Sequence, residues 1–158
     1  MKRTTMILQQ AASLEQELVR VRQQEYARIL AERFQAVEQA QRGFRLTMLT
    51  PEPCDRLAQS LGALREAIQA AITDLDTPEV LAVCRPYTVL MKLRPLHRLL
   101  VETQVLVAGC RSLCLAGRLI EDRTGMYWQC QQAMLDIRRS REELLRLLTP
   151  EASLAATA

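Results

Sequence analysis

The sequence predicts an all-α fold, an antiparallel four-helix bundle with coiled-coil-like packing, on three observations. Glycine, proline and aromatic residues are scarce, with 5 Gly, 6 Pro and 4% aromatics in 158 residues, which is a composition typical of helices. Apolar residues recur every three or four positions, and turn-forming residues separate four long segments. The length fits a single all-helical domain over residues 1–150, with 151–158 as a disordered or frayed C-terminal tail.

The first and longest helix is predicted from Thr4 to Gln41, with Gly43 as its C-cap. Its apolar stripe changes face midway along the helix. The first half carries Ile7, Ala11, Leu14, Leu18 and Val21. The second half carries Ala27, Leu30, Phe34, Val37 and Phe44. Such a stutter indicates that the two halves face different neighbours, although a local adjustment of supercoiling would also produce it.

The second helix has strong start signals, since Thr50 can cap it and Pro51 suits the first helical position. Its stripe, spaced alternately four and three residues apart, consists of Leu57, Leu61, Leu64, Ile68, Ala71 and Leu75. Residues from Asp74 to Pro78 end it. Because this helix is much shorter than the first, pairing of the two would leave roughly 20 Å of the first helix uncovered. The segment between them is expected to fold over the bundle end through Phe44, Leu46 and Leu49.

The third helix is a long central one that begins near Pro86 and includes the apolar-rich stretch from Val89 to Ile120. Pro95 is expected to kink it, or alternatively to start it. The stripe that should face the core is Val89, Leu93, Leu96, Leu100, Thr103, Val107, Cys110, Cys114 and Gly117. A second stripe, about 150° around the helix, is Val101, Val105, Ala108, Ser112, Leu115 and Leu119. The second stripe should be exposed in a monomer unless the first helix or the segment from Phe44 to Leu49 covers it.

The fourth helix is expected to follow Thr124, a candidate N-cap, and to end at Leu148 before Thr149 and Pro150. Its stripe is Tyr127, Cys130, Met134, Ile137, Arg141, Leu144 and Leu148. Arg141 is the one charged interruption, and it falls in a charged run from Arg138 to Glu143.

The residues that could carry chemistry do not form a convincing site. Cys110, Cys114 and Cys130 could approach one another, but they lie on core stripes where cysteine is a common small filler, so we expect reduced thiols and no metal. No carboxylate pair lies in an apolar setting and no glycine-rich phosphate loop is present. We therefore expect no cofactor and no enzymatic activity. A phosphotransfer role would depend on His97, the only histidine, but its surroundings match the His-x-Leu-Lys-Gly pattern of histidine phosphotransfer domains only at Leu99.

The second stripe of the third helix and the first half of the first helix carry the functional prediction, because long exposed apolar stripes usually mark partner surfaces. They predict a non-enzymatic interaction protein, an adaptor, regulator or chaperone, that forms a homodimer through either of these surfaces or both, and that binds another protein. The predicted partner-binding residues are Val101, Val105, Ala108, Ser112, Leu115, Leu119, Ile7, Leu14 and Leu18.

The alternative is a helical nucleic-acid-binding regulator that uses Arg94 and Arg98 as phosphate contacts. The net charge of +3 is mild, and it does not by itself indicate that the protein binds nucleic acid or an anionic membrane.

The N-terminus lacks the apolar region of a signal peptide, and charges interrupt the richest apolar window, so no membrane span is expected. The expected location is the cytoplasm. The preference for Arg over Lys suggests a bacterial source.

Overall fold

A computed structural model of the chain describes residues 2–78, 80, 87–121 and 125–149, and only the backbone of Ala12, Glu15, Met48 and Tyr87. Within these ranges the fold is all-helical, and four long helices pack against one another. They are α1 (Lys2–Arg42), α2 (Pro51–Leu75), α3 (Tyr87–Leu115) and α4 (Met126–Leu148), with a short 3₁₀ turn at Leu46–Met48. The predicted N-cap Thr124 and the predicted tail 151–158 lie outside the described residues.

The predicted core stripes are confirmed along α2 and α4. All six apolar residues of the α2 stripe are buried, and so are the apolar members of the α4 stripe. Thr50 occupies the predicted N-cap position of α2, but its side chain makes no capping hydrogen bond there. The alternation of three and four residues therefore located the buried faces correctly because helical geometry places such residues on one side.

Helix α3 runs through Pro95, so the alternative of a helix start at that proline is wrong. Its core stripe is buried from Val89 to Cys110, including Thr103. The hydroxyl of Thr103 donates a hydrogen bond to the Leu99 carbonyl at 2.6 Å, which satisfies this polar group inside the core.

The predicted end of the third helix at Ile120 is wrong, because α3 ends at Leu115. Gly117 has a φ of 69°, and the backbone N–H of Arg118 donates to the Leu113 carbonyl at 2.9 Å. This is the Schellman arrangement, in which a left-handed glycine closes the helix. Leu119 consequently leaves the second stripe, and it is buried, with 5% of its surface exposed. Its predicted place on an exposed partner surface is corrected.

Replacing Gly117 by Ala is expected to lower the free energy of unfolding by about 1–2 kcal/mol, because a Cβ disfavours the left-handed conformation. A steric clash does not contribute, since no atom lies within 4 Å of the Cβ position at residue 117. Urea unfolding monitored by circular dichroism measures the change. Gly43→Ala is the matched control, since Gly43 also follows a helix but has no positive φ. Equal effects at the two positions would contradict this explanation.

Contacts between helices fix which ends lie together. Along α2 and α3, Asp55 pairs with Arg111 at 2.8 Å and Asp76 with Arg94 at 2.5 Å. Along α3 and α4, Lys92 pairs with Glu143 and Cys110 lies against Cys130. In both cases the partners follow in opposite order along the two helices. Helix α1 packs against α2 and, over a shorter stretch, against α4.

Candidate protein–protein interaction surfaces

The first 17 residues of α1, Lys2 to Leu18, form an arm that no other described helix covers. Every side chain that the structure describes in this range is exposed, and Val19 is the first buried residue of the helix. We call Lys2–Leu18 the N-terminal arm. At 1.5 Å per residue it is about 26 Å long.

The C-terminal end of α2 packs against α1 just after the arm. The Tyr26 hydroxyl donates a hydrogen bond to the Asp74 carboxylate, and the Arg22 guanidinium lies 3.7 Å from the same carboxylate. Burial, the hydrogen bond to Asp74 and its negative charge raise the pKa of Tyr26 above its ordinary range. Since Asp74 lies one residue before the end of α2, the part of α1 preceding Arg22 extends past the second helix.

The apolar stripe of the arm is therefore exposed, while its continuation after the stutter is buried. On the arm, Ile7, Leu14 and Leu18 are 64%, 67% and 63% exposed. Met6 and Leu8 on the arm, and Val21 just after it, are further large apolar side chains that are exposed. The stripe on the second half of α1, from Ala27 to Phe44, lies entirely in the core. The change of stripe face thus coincides with the transition from an uncovered helix to a packed one.

The second stripe of α3 is also exposed, from Val101 to Leu115. Val105 is 67% exposed, and Val101, Ala108, Ser112 and Leu115 are exposed as well. We call these five residues the α3 outer stripe. Neither α1 nor the segment from Phe44 to Leu49 covers it, since Phe44, Leu46 and Leu49 instead pack on the core. Met91 was not predicted as part of this surface. It is highly exposed and lies three residues before Arg94, so it extends the same line along the helix.

The two arginines proposed to contact phosphate differ in their surroundings. Arg94 forms an ion pair with Asp76, whereas Arg98 is exposed and forms no ion pair with a described residue. Two other basic residues of α3 also form ion pairs, Arg111 with Asp55 and Lys92 with Glu143. The Lys92 ammonium lowers the pKa of Glu143 below its usual range. The basic residues of α3 are therefore largely neutralised by neighbouring helices.

The described cysteines lie at the end of the bundle near the segment that joins α1 and α2. The sulfur atoms of Cys110 and Cys130 are 3.7 Å apart, and the Cys114 thiol donates to the Leu49 carbonyl at 3.0 Å. Burial and neighbouring thiols raise the pKa of Cys54 to about 11, and the contact with Cys110 raises the pKa of Cys130. Among the described residues no group of three or more His, Cys, Asp or Glu side chains could hold a metal ion.

Alkylation should distinguish these thiols in the native protein. At about pH 8 we expect Cys54, Cys110 and Cys130 to react with iodoacetamide at least tenfold more slowly than free cysteine, because all three thiols are buried. Mass spectrometry of peptides after timed labelling measures each rate, and labelling in urea is the control. Rapid native labelling of Cys54 or Cys130 would contradict the buried environment found here.

The charged interruption in the α4 stripe has a partner on α1. The Arg141 guanidinium donates a hydrogen bond to the Glu38 carboxylate, and Arg138 lies 3.8 Å from the same group. This cluster connects the packed half of α1 to α4. The sequence shows Arg141 as an interruption of the stripe, but its partner could not be predicted because Glu38 is 103 residues away in the chain.

A groove between the C-terminal end of α1 and the first turns of α4 was not predicted. We call it the aromatic–arginine groove. Its volume is about 470 Å³, and it is lined by Glu38, Gln41, Arg42, Phe44, Arg45, Tyr127, Trp128, Gln131 and Arg138. The one sequence signal was the single tryptophan, which could not be placed beside these arginines without knowing how α4 packs on α1.

Comparison with known proteins finds no matching family model, no matching curated protein and no matching solved structure. Among the described residues, no helix is both long enough and apolar enough to cross a membrane.

Proposed function

We propose that this chain is a non-enzymatic helical interaction module that forms a homodimer through its N-terminal arm and binds a further protein as an adaptor, regulator or chaperone. The scaffold would be an antiparallel four-helix bundle, from which the arm extends. The exposure of every described side chain from Lys2 to Leu18 is the observation that carries the proposal.

The arm needs a partner for a physical reason. An isolated helix of this length is marginal in water, and most helical stability in proteins comes from packing an apolar face. Because the arm has an apolar face and no neighbouring helix among the described residues, pairing with another helix would supply the missing packing. Burial of each large side chain would contribute roughly 1.5–3 kcal/mol.

A second copy of the chain fits this face. Ile7, Ala11, Leu14, Leu18 and Val21 are spaced four, three, four and three residues apart, which is the pattern of a two-helix coiled coil. Glu17 and Arg22 flank this stripe five residues apart, the spacing at which the edges of two parallel helices form reciprocal ion pairs. In the single chain they lie beside Arg20 and Asp74, in exposed ion pairs that a dimer would exchange for pairs between copies. We therefore propose a parallel pairing of two arms.

Sedimentation equilibrium tests the proposal on the unaltered protein. At about 50 µM we expect a mass twice that of the 18.0 kDa chain. A mass of one chain at that concentration would contradict homodimerisation.

The α3 outer stripe is the surface we propose for the further protein. It is apolar at Val101, Val105 and Leu115, while the small residues Ala108 and Ser112 would allow another helix to approach closely. No observation favours nucleic acid over protein at this surface, because Arg94 is already engaged by Asp76. Binding of duplex DNA that is lost on raising the salt concentration and on replacing Arg94 and Arg98 by Ala would instead favour a nucleic-acid-binding regulator.

A further inference from the structure

The aromatic–arginine groove lies at the opposite end of α1 from the N-terminal arm. Its walls are the last turn of α1, with Gln41 and Arg42, and the first turns of α4, with Trp128 and Gln131. Its volume of about 470 Å³ lies within the range of roughly 300–1,000 Å³ found for ligand pockets. The groove is therefore large enough for two or three side chains of a bound segment.

Three aromatic rings form one side of the groove. Phe44 and Tyr127 are stacked with their ring centres 5.3 Å apart, and both are buried. Trp128 meets the Tyr127 ring edge-on at 5.2 Å and stays 51% exposed. Since the buried rings support Trp128 from behind, its exposed surface is held in place for contact with a partner.

Hydrogen bonds fix the inner wall. The Tyr127 hydroxyl donates to the Phe44 carbonyl at 3.2 Å, and the Gln131 amide donates to the same carbonyl at 3.4 Å. Gln41 in turn donates to the Gln131 side-chain oxygen at 3.3 Å. The segment after α1 is thus attached to α4, and the groove between them is pre-formed, which lowers the entropic penalty of binding.

The charge of the groove is unbalanced. Three guanidinium groups, those of Arg42, Arg45 and Arg138, face one carboxylate, that of Glu38. Glu38 is already shared by Arg138 and Arg141. Neither Arg42 nor Arg45 forms an ion pair with a described residue, and the Arg45 Nε donates to the Arg42 carbonyl at 3.0 Å, which orients its guanidinium. Two arginines are therefore available for carboxylates, which they bind in a bidentate manner.

We infer that the aromatic–arginine groove binds an acidic segment of a partner protein, with an apolar side chain against Trp128 and carboxylates on Arg42 and Arg45. Exposed tryptophan and arginine are the residues most enriched among those that dominate binding at protein interfaces. The inference rests on the proposed role as a protein-interaction module, but it does not depend on dimerisation through the arm.

Nucleic acid fits the groove less well. A polynucleotide is bound along a tract of basic residues that follows its phosphates. Along α3, Arg94 is paired with Asp76 and Arg111 with Asp55, so Arg98 does not belong to an unpaired basic tract there. In the groove, Arg42 and Arg45 lie together over a short distance, which fits a short acidic peptide segment better than a polynucleotide.

Binding of defined peptides to the full chain tests the inference. Three fluorescein-labelled peptides of about ten residues share a central Leu-Phe pair and carry Glu, Gln or Lys at the flanking positions. Trp128 is the only tryptophan, so its emission reports on the groove, and peptide anisotropy gives the dissociation constant. We expect the Glu peptide to bind at least about tenfold more tightly than the Gln peptide and the Lys peptide not to bind.

Variants locate the site. The double change Arg42→Gln and Arg45→Gln should weaken binding of the Glu peptide about tenfold or more, and Trp128→Ala, measured by anisotropy, should do the same. The matched control, Arg94→Gln with Arg98→Gln, also removes two exposed arginines and should leave the dissociation constant unchanged. Thermal unfolding verifies that each variant is folded.

Four outcomes would overturn the inference. They are no binding of the Glu peptide at about 1 mM, equal binding of the Glu and Gln peptides, no effect of the groove variants, or tighter binding of a thymidine oligonucleotide of about ten nucleotides at the same arginines. Sedimentation of the same samples reports on dimerisation separately. A monomer that binds the Glu peptide through Arg42 and Arg45 would overturn only the proposed dimer.

Discussion

Replacing both Leu14 and Leu18 by Asp is expected to convert the dimer into a monomer. Each copy would place two carboxylates in an interface that otherwise buries apolar side chains. The loss of burial of four leucines in the dimer is about 6 kcal/mol or more, which is more than about ten-thousandfold in the dissociation constant. Both residues are more than 60% exposed in the single chain, so the change should leave the bundle folded. Sedimentation equilibrium measures the mass, and the thermal unfolding profile verifies the fold.

Val105→Asp is the matched control for this experiment. Val105 is as exposed as Leu14 but lies on the α3 outer stripe. Under the proposed assignment of surfaces, Val105→Asp leaves the dimer intact. If Val105→Asp dissociates the dimer and the arm variant does not, the dimer forms through the α3 outer stripe and not through the arm.

Phe34→Ala is expected to lower the free energy of unfolding by about 3–5 kcal/mol, because removal of a fully buried ring leaves a cavity in addition to the lost transfer energy. Phe34 lies on the packed half of α1 and is among the largest fully buried side chains. Urea unfolding of the monomeric Leu14→Asp, Leu18→Asp protein measures the effect without a contribution from association.

Leu8→Ala in the same monomeric background is the comparison, since Leu8 lies on the same helix but is exposed. We expect its effect to stay within about 0.5 kcal/mol. Similar losses at Phe34 and Leu8 would mean that the arm is packed within its own chain, contrary to the structure.

Much of the fold was predictable because helical periodicity determines which residues are buried. The stripe from Leu57 to Leu75 required only the spacing of three and four residues, and all of it is buried. The stutter of α1 was also visible in the sequence, and its two stripes differ in exposure. Periodicity locates a face, but it does not reveal which neighbour covers that face.

The end of α3 shows a limit of this reasoning. The apolar pattern continues to Ile120, so periodicity predicted a helix up to that residue. The helix ends at Leu115 because Gly117 adopts a left-handed conformation, and Leu119, beyond the helix, is buried. A glycine at the edge of a stripe was read as a small core residue, although its backbone preference decided the structure. The groove beside Trp128 was missed for a different reason, because Arg42, Arg45 and Trp128 come together only when α4 packs on α1.

Hydrogen exchange of the backbone amides of residues 2–18 tests the central claim most directly, because it links the folding of the arm to association. A helix of this length without a partner should exchange rapidly, whereas a paired helix should be protected. Between about 1 µM and about 100 µM protein, we predict that protection of the arm amides rises with concentration while that of α2 stays constant. Arm amides that exchange at the same rate at both concentrations would contradict the pairing of the N-terminal arm with a second copy.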